Sequence, residues 1–179
     1  ATRPLLHTWS LAIEEQYYLL FPPFLFLIRR LDIRVKIAVI AMVALASLAV
    51  SMAQVRSSPD AAFYLLPSRA WELLLGSLAA IAGRLKPAWL RLSEILAAAG
   101  LALIAFALAT YDELTPFPGL AALPPCLGAA LIIVAGIGSR TAVGRVLSAP
   151  PFVWIGLISY SLYLWHWPLV VFGRYYLIR

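Results

Sequence analysis

The chain alternates unbroken apolar runs with short polar joints, and that pattern predicts its elements directly. Six runs stand out, over residues 11–28, 37–52, 67–84, 95–110, 120–137 and 152–177. Each is rich in Leu and Ala and lacks the two-residue alternation of a barrel strand, so each reads as a helix of about the ~20 residues that cross a bilayer. The expected fold is all-α, a polytopic transmembrane bundle of about six spans. Pro22-Pro23 and Pro124-Pro125 predict bends inside the first and fifth spans, and Thr8 or Ser10 is placed to cap the first. Gly100 in the Ala-rich fourth span suits close packing on a neighbour. Residues 54–66 read as a loop, with the third span opening at Pro67.

Composition agrees with that picture. The 179 residues are 63% hydrophobic and 12% charged, and mean hydropathy is +0.91, which leaves too little polar surface for a soluble globule. A net charge of +6 would suit nucleic acid, but the basic residues lie in short clusters between the apolar runs. Topology accounts for them, and no nucleic-acid partner is expected. Nine of the fourteen fall on one side of an alternating scheme: Arg29, Arg30, Arg34, Lys36, Arg84, Lys86, Arg91, Arg140 and Arg145. Arg3, Arg56, Arg69, Arg174 and Arg179 fall on the other. The asymmetry puts both chain ends on the outer face of a cytoplasmic membrane.

The polar residues that interrupt the runs are the chemical candidates. Glu14 and Glu15 open the first span, and adjacent helical positions point about 100° apart, so the two cannot share one proton. One can face a polar cavity as a base or an anchor while the other finds a cation or interfacial water; alternatively both extend to water at the outer interface. With Gln16, Tyr17 and Tyr18 they make five consecutive hydrogen-bonding side chains, too many for lipid exposure. Arg69 and Glu72, three apart, either form a plain ion pair or share an outer chamber with His7, Glu14 and Glu15, where an arginine can grip a carbonyl, phosphate or sugar oxygen. Ser159, Tyr163 and His166 recur at helical spacing on one face of the last span, with Tyr160 and Trp167 beside them. The aromatics also fit an interfacial belt, whereas a histidine between Trp165 and Trp167 needs a partner. Cys126 is the sole cysteine and reads as a small packing residue. No metal-ligand cluster, nucleophile elbow or phosphate-binding glycine loop occurs, and no metal or bound cofactor is expected.

Four stretches, LHTWSLAIEEQYYLLFP, YLLPSRAWELLLGSLAA, DELTPFPGLAALPPCLGAALII and WIGLISYSLYLWHWPLVVF, resemble successive blocks of the acyltransferase 3 family of membrane proteins. Within it they are most similar to the O-acetyltransferases of bacterial surface polysaccharides, including lipopolysaccharide O-antigen. The resemblance implies a multi-pass enzyme of the bacterial inner membrane. It would move an acyl group, most often acetyl, from acetyl-CoA as co-substrate to a hydroxyl of a surface polysaccharide or lipid-linked sugar, among membrane lipids.

The same resemblance marks residues 1–179 as part of a domain. The family's earlier helices, with the His taken as catalytic base, have no counterpart here, nor does the soluble SGNH domain of many relatives. Position by position, the resemblance assigns the chamber to Trp9, Ser10, Glu14, Glu15 and Gln16, to Arg69, Trp71 and Glu72, and to the block of Ser159, Tyr160, Tyr163, His166 and Trp167. His7 and Tyr17 join them as binding candidates, and a base drawn from this chain is His166, His7 or a glutamate. A transporter that moves such a substrate without chemistry, or an inert fragment, is the alternative.

Overall fold

The computed structural model describes residues 6–85, 92–112, 114–137 and 139–177. Arg3, Lys86, Arg91 and Arg179 of the charge scheme lie outside the described residues. Among the described residues eight α-helices run α1 (Trp9–Ile28), α2 (Ile33–Ser57), α3 (Pro59–Tyr64), α4 (Leu66–Arg84), α5 (Ser93–Thr110), α6 (Leu123–Gly136), α7 (Ala142–Leu147) and α8 (Pro150–Leu177). Six stretches of the described residues are long and apolar enough to span a membrane, with α3 and α4 together supplying one of them. The chain is therefore an all-α, polytopic membrane protein, as its hydropathy predicts.

The ends of the helices follow local chemistry. Asp32 caps α2 by accepting the Arg34 N–H at 2.8 Å, and Thr141 caps α7 by accepting that of Gly144 at 3.0 Å. Pro22 and Pro23 lie inside α1, which continues through both to Ile28. The expected loop over residues 54–66 is mostly helical instead. Its Ser58-Pro59 pair places proline at the first helical position of α3, where a missing N–H costs nothing. Fully buried Ser68 then closes the joint, its hydroxyl lying 2.9–3.2 Å from the Ala61, Ala62 and Leu65 carbonyls.

Tyr17 and Ile28 of α1, Ile40 of α2 and Leu74 of α4 form a buried cluster that binds these three helices together. α5 and α6 pack through glycine. A Cβ on Gly100 would stand 2.6 Å from the Gly128 carbonyl oxygen, and one on Gly128 2.5 Å from that of Gly100. Only hydrogen fits at this backbone crossing. Gly83 packs as closely on Ile137, which brings the C-terminal ends of α4 and α6 to the same end of the bundle. The starts of α1 and α4 lie at the opposite end, and the candidate chemistry collects there.

Candidate functional site

α4 begins Leu66-Pro67-Ser68-Arg69, so Arg69 and Glu72 sit in its first two turns. They pair, with Arg69 Nη2 2.7 Å from Glu72 Oε2 and both side chains 16% exposed. Three rings from separate segments ring the guanidinium: Trp9 of α1, Phe63 of α3 and Phe117 of the α5–α6 connection. Their centroids lie 5.4, 5.6 and 5.8 Å from its central carbon, within range of cation–π attraction. The second Glu72 oxygen, Oε1, is buried with no hydrogen-bond partner. A fixed cation thus stands beside an acceptor that has room for a further donor.

A serine on the neighbouring helix holds the start of α4 in place. The Ser47 hydroxyl of α2 donates to the Pro67 carbonyl at 2.6 Å and accepts the Trp71 N–H at 3.0 Å. Those are the two groups that an ordinary i→i−4 helix bond would join. The bridge ties α2 to the turn that carries Arg69. Trp71 is itself 3% exposed and belongs to the packed interior, its indole nitrogen buried without a partner.

The second half of the site joins α1 to α8. The Tyr163 hydroxyl donates to the His7 carbonyl and lies 2.5 Å from the Ser10 hydroxyl. With its one hydrogen committed, the phenol accepts that of Ser10. The His7 ring sits 5.2 Å from the Tyr163 ring and 5.3 Å from that of His166, edge-on to the latter. Both His7 nitrogens are buried and unpartnered. His166 Nδ1 lies 2.7 Å from the Tyr163 carbonyl, a contact that a neutral imidazole makes with Nδ1–H as donor, which leaves Nε2 as acceptor.

Ser10 connects the halves. It binds Tyr163 and also lines, with Trp9, Glu14, Arg69 and Glu72, a cavity of about 80 Å³. It is a small, partly open space whose wall combines an arginine, two carboxylates and a serine hydroxyl. Glu14 stands exposed on its wall, so the cavity opens outward past a carboxylate.

The structure therefore brings together His7, Trp9, Ser10, Glu14, Arg69, Glu72, Tyr163 and His166. Other candidates lie apart from the cavity. Glu15 and Gln16 are exposed on neighbouring faces of α1. Tyr17 is buried against α4, its hydroxyl 2.8 Å from that of Ser77 and its ring stacked on Phe21, so it serves helix packing. Ser159 spends its hydroxyl on the Gly156 carbonyl of its own helix, Tyr160 is 62% exposed, and Trp167 is half-buried. Phe63, Phe117 and Ser47 escape sequence reading, because among so many apolar positions nothing separates a ring that meets an arginine from one that meets lipid.

The model of the acyltransferase domain family matches residues 2–179. The chain is 33% identical over 180 residues to the peptidoglycan O-acetyltransferase OatA of Listeria monocytogenes, covering 93% of this chain and 29% of that protein. It is 30% identical over 194 residues to the O-acetyltransferase OatA of Staphylococcus aureus strain NCTC 8325, covering all of this chain and 32% of that protein. It thus spans about three tenths of the length of these relatives. No solved structure matches. With nearly its whole length matched, the chain belongs to the acyltransferase 3 family of acyltransferase domains.

Proposed function

We propose that the chain is part of a membrane O-acetyltransferase that moves an acetyl group from an acyl-coenzyme A thioester to a hydroxyl of a bacterial cell-surface polysaccharide. The names of the relatives favour peptidoglycan over lipopolysaccharide O-antigen as the acceptor, and a multi-pass protein of the cytoplasmic membrane suits both. One observation carries the reading: His7, with both ring nitrogens unpartnered, and His166, whose Nδ1 is held by the Tyr163 carbonyl, adjoin through Ser10 a small cavity walled by a fixed arginine.

Each group has a task in acyl transfer. Among this chain's residues His7 is best placed as base, because a buried imidazole with no partner gains a hydrogen bond when a sugar hydroxyl docks on it. The hydroxyl proton passes to the imidazole as the oxygen bonds to the thioester carbonyl carbon. The carbonyl oxygen becomes an oxyanion, and Arg69, with one N–H on Glu72 and others in its fork still to give, stabilises it. The C–S bond then breaks, the ester carbonyl re-forms, and the thiolate leaves and takes a proton. Glu72 Oε1 and Glu14 accept further hydroxyls of the acceptor, and Tyr163 keeps the start of α1 against α8.

Further helices of the same domain would cover the exposed Glu15 and Gln16, since acids facing lipid need polar partners. In the full-length protein Glu15→Cys should then react slowly with a water-soluble maleimide, whereas fast labelling would place it in open water. The function itself is tested by expressing the full-length protein in a bacterium that lacks wall O-acetylation and analysing purified muropeptides by mass spectrometry. Acetylated, base-labile muropeptides are expected. Unmodified muropeptides beside correctly inserted protein would remove peptidoglycan as the acceptor.

A further inference from the structure

At the end of the bundle opposite Arg69, a cleft of about 460 Å³ lies between the end of α6 and α7, walled by Ser139, Arg140, Thr141, Arg145 and Ser148. Two arginines five positions apart meet there with three hydroxyl-bearing side chains; Ser139 already donates to the Ala135 carbonyl at 2.8 Å, so Thr141 and Ser148 are the hydroxyls left to donate. Thr141 is 2% exposed; its hydroxyl oxygen accepts the Gly144 N–H, so its own hydrogen is left to donate. One acid stands nearby, Glu94, and both its oxygens are 3.0–3.1 Å from the Ala142 N–H. That carboxylate already satisfies the start of α7, so a ligand in the cleft would meet side chains and not a helix end. Arg140 and Arg145 are exposed, as Arg34 is, and positive-inside charge accounts for their presence on this side. It does not account for a cleft that brings two arginines to a buried hydroxyl.

We infer that this cleft binds a phosphate-bearing ligand on the cytoplasmic side. Planar guanidinium groups match phosphate oxygens two bonds at a time, and hydroxyls complete the set. The same chemistry has two sources, the headgroup of an anionic phospholipid and the phosphates of a soluble nucleotide-type molecule. The site needs no particular reaction at the Arg69 cavity, so it stands or falls separately from the acyl-transfer reading.

The test uses full-length protein in nanodiscs of zwitterionic lipid. One arm titrates inorganic pyrophosphate by calorimetry, and the other measures retention of phosphatidylglycerol by native mass spectrometry. At least one probe should bind, and Arg140→Gln with Arg145→Gln should weaken it by about a hundredfold, a factor of ten for each lost charge-assisted contact. Arg34→Gln, on the same side but outside the cleft, should leave binding unchanged. The paired Lys substitutions, which keep the charge, should bind within about tenfold of the unmodified protein. Pyrophosphate binding identifies a soluble source and selective phosphatidylglycerol retention a lipid; either supports the site. Failure of both probes, equal loss in Arg34→Gln, or loss in the lysine pair as complete as in the glutamine pair overturns it.

Discussion

Arg69→Gln separates the structural from the catalytic share of the Arg69–Glu72 pair. In the folded protein Glu72 Oε2 has the Arg69 Nη2 at 2.7 Å, Oε1 has no partner, and the side chain is 16% exposed. Removing the guanidinium leaves a mostly buried carboxylate without its cation. Breaking a buried pair costs ~3–5 kcal/mol, and residual exposure places this one near 3. Adding Glu72→Gln removes the stranded charge, so the double variant should lose only about 1 kcal/mol, about 2 kcal/mol less than Arg69→Gln alone. Thermal unfolding of the full-length protein in detergent, read by fluorescence-detected size exclusion, should therefore rank unmodified protein first, the double variant next and Arg69→Gln last. Acetyl transfer behaves differently. Both variants lack the oxyanion donor and should fall by about a hundredfold or more in kcat. Recovery of turnover along with stability in the double variant would refute the catalytic role and leave Arg69 a structural partner of Glu72.

Three more perturbations follow from the same contacts. Ser47→Val removes both bonds of the bridge to Pro67 and Trp71 and should cost about 1–2 kcal/mol in unfolding; the freed turn should also lower kcat by disturbing Arg69, whereas unchanged kinetics would show that the bridge does not position it. Gly128→Val puts side-chain carbon where 2.5 Å separates a Cβ from the Gly100 carbonyl oxygen. Overpacking of that kind costs about 1–3 kcal/mol, and a melting curve like that of the unmodified protein would show the α5–α6 crossing to be looser than described. Tyr163→Phe loses the bonds to the His7 carbonyl and Ser10; turnover should drop about tenfold as the start of α1 shifts against α8, with little change in thermal midpoint.

How far the sequence reveals all this depends on the range of the interaction. Span number and order follow from hydropathy, because lipid enforces helices wherever apolar runs reach ~20 residues. The helix at Pro59–Tyr64 was legible in principle, since Ser58-Pro59 is a start signal, but polar residues around it read as a loop. Helical spacing put Tyr163 and His166 on a shared face, where their rings meet, but it could not show that Ser159 gives its hydroxyl to the Gly156 carbonyl of its own helix. Tyr17 likewise stands among the binding candidates, yet it turns to Ser77. The meeting of His7 with His166, and of Arg69 with Trp9, Phe63 and Phe117, depends on how distant helices cross. No local pattern encodes that.

The most direct test of the account replaces the unpartnered histidine. In membranes carrying the full-length protein, transfer of radiolabelled acetyl from acetyl-CoA to isolated cell-wall polysaccharide should fall by about a hundredfold or more in His7→Gln while the protein remains folded and inserted. Full transfer by that variant would contradict the claim that the start of α1, the Arg69 turn and α8 together form the acyl-transfer chamber.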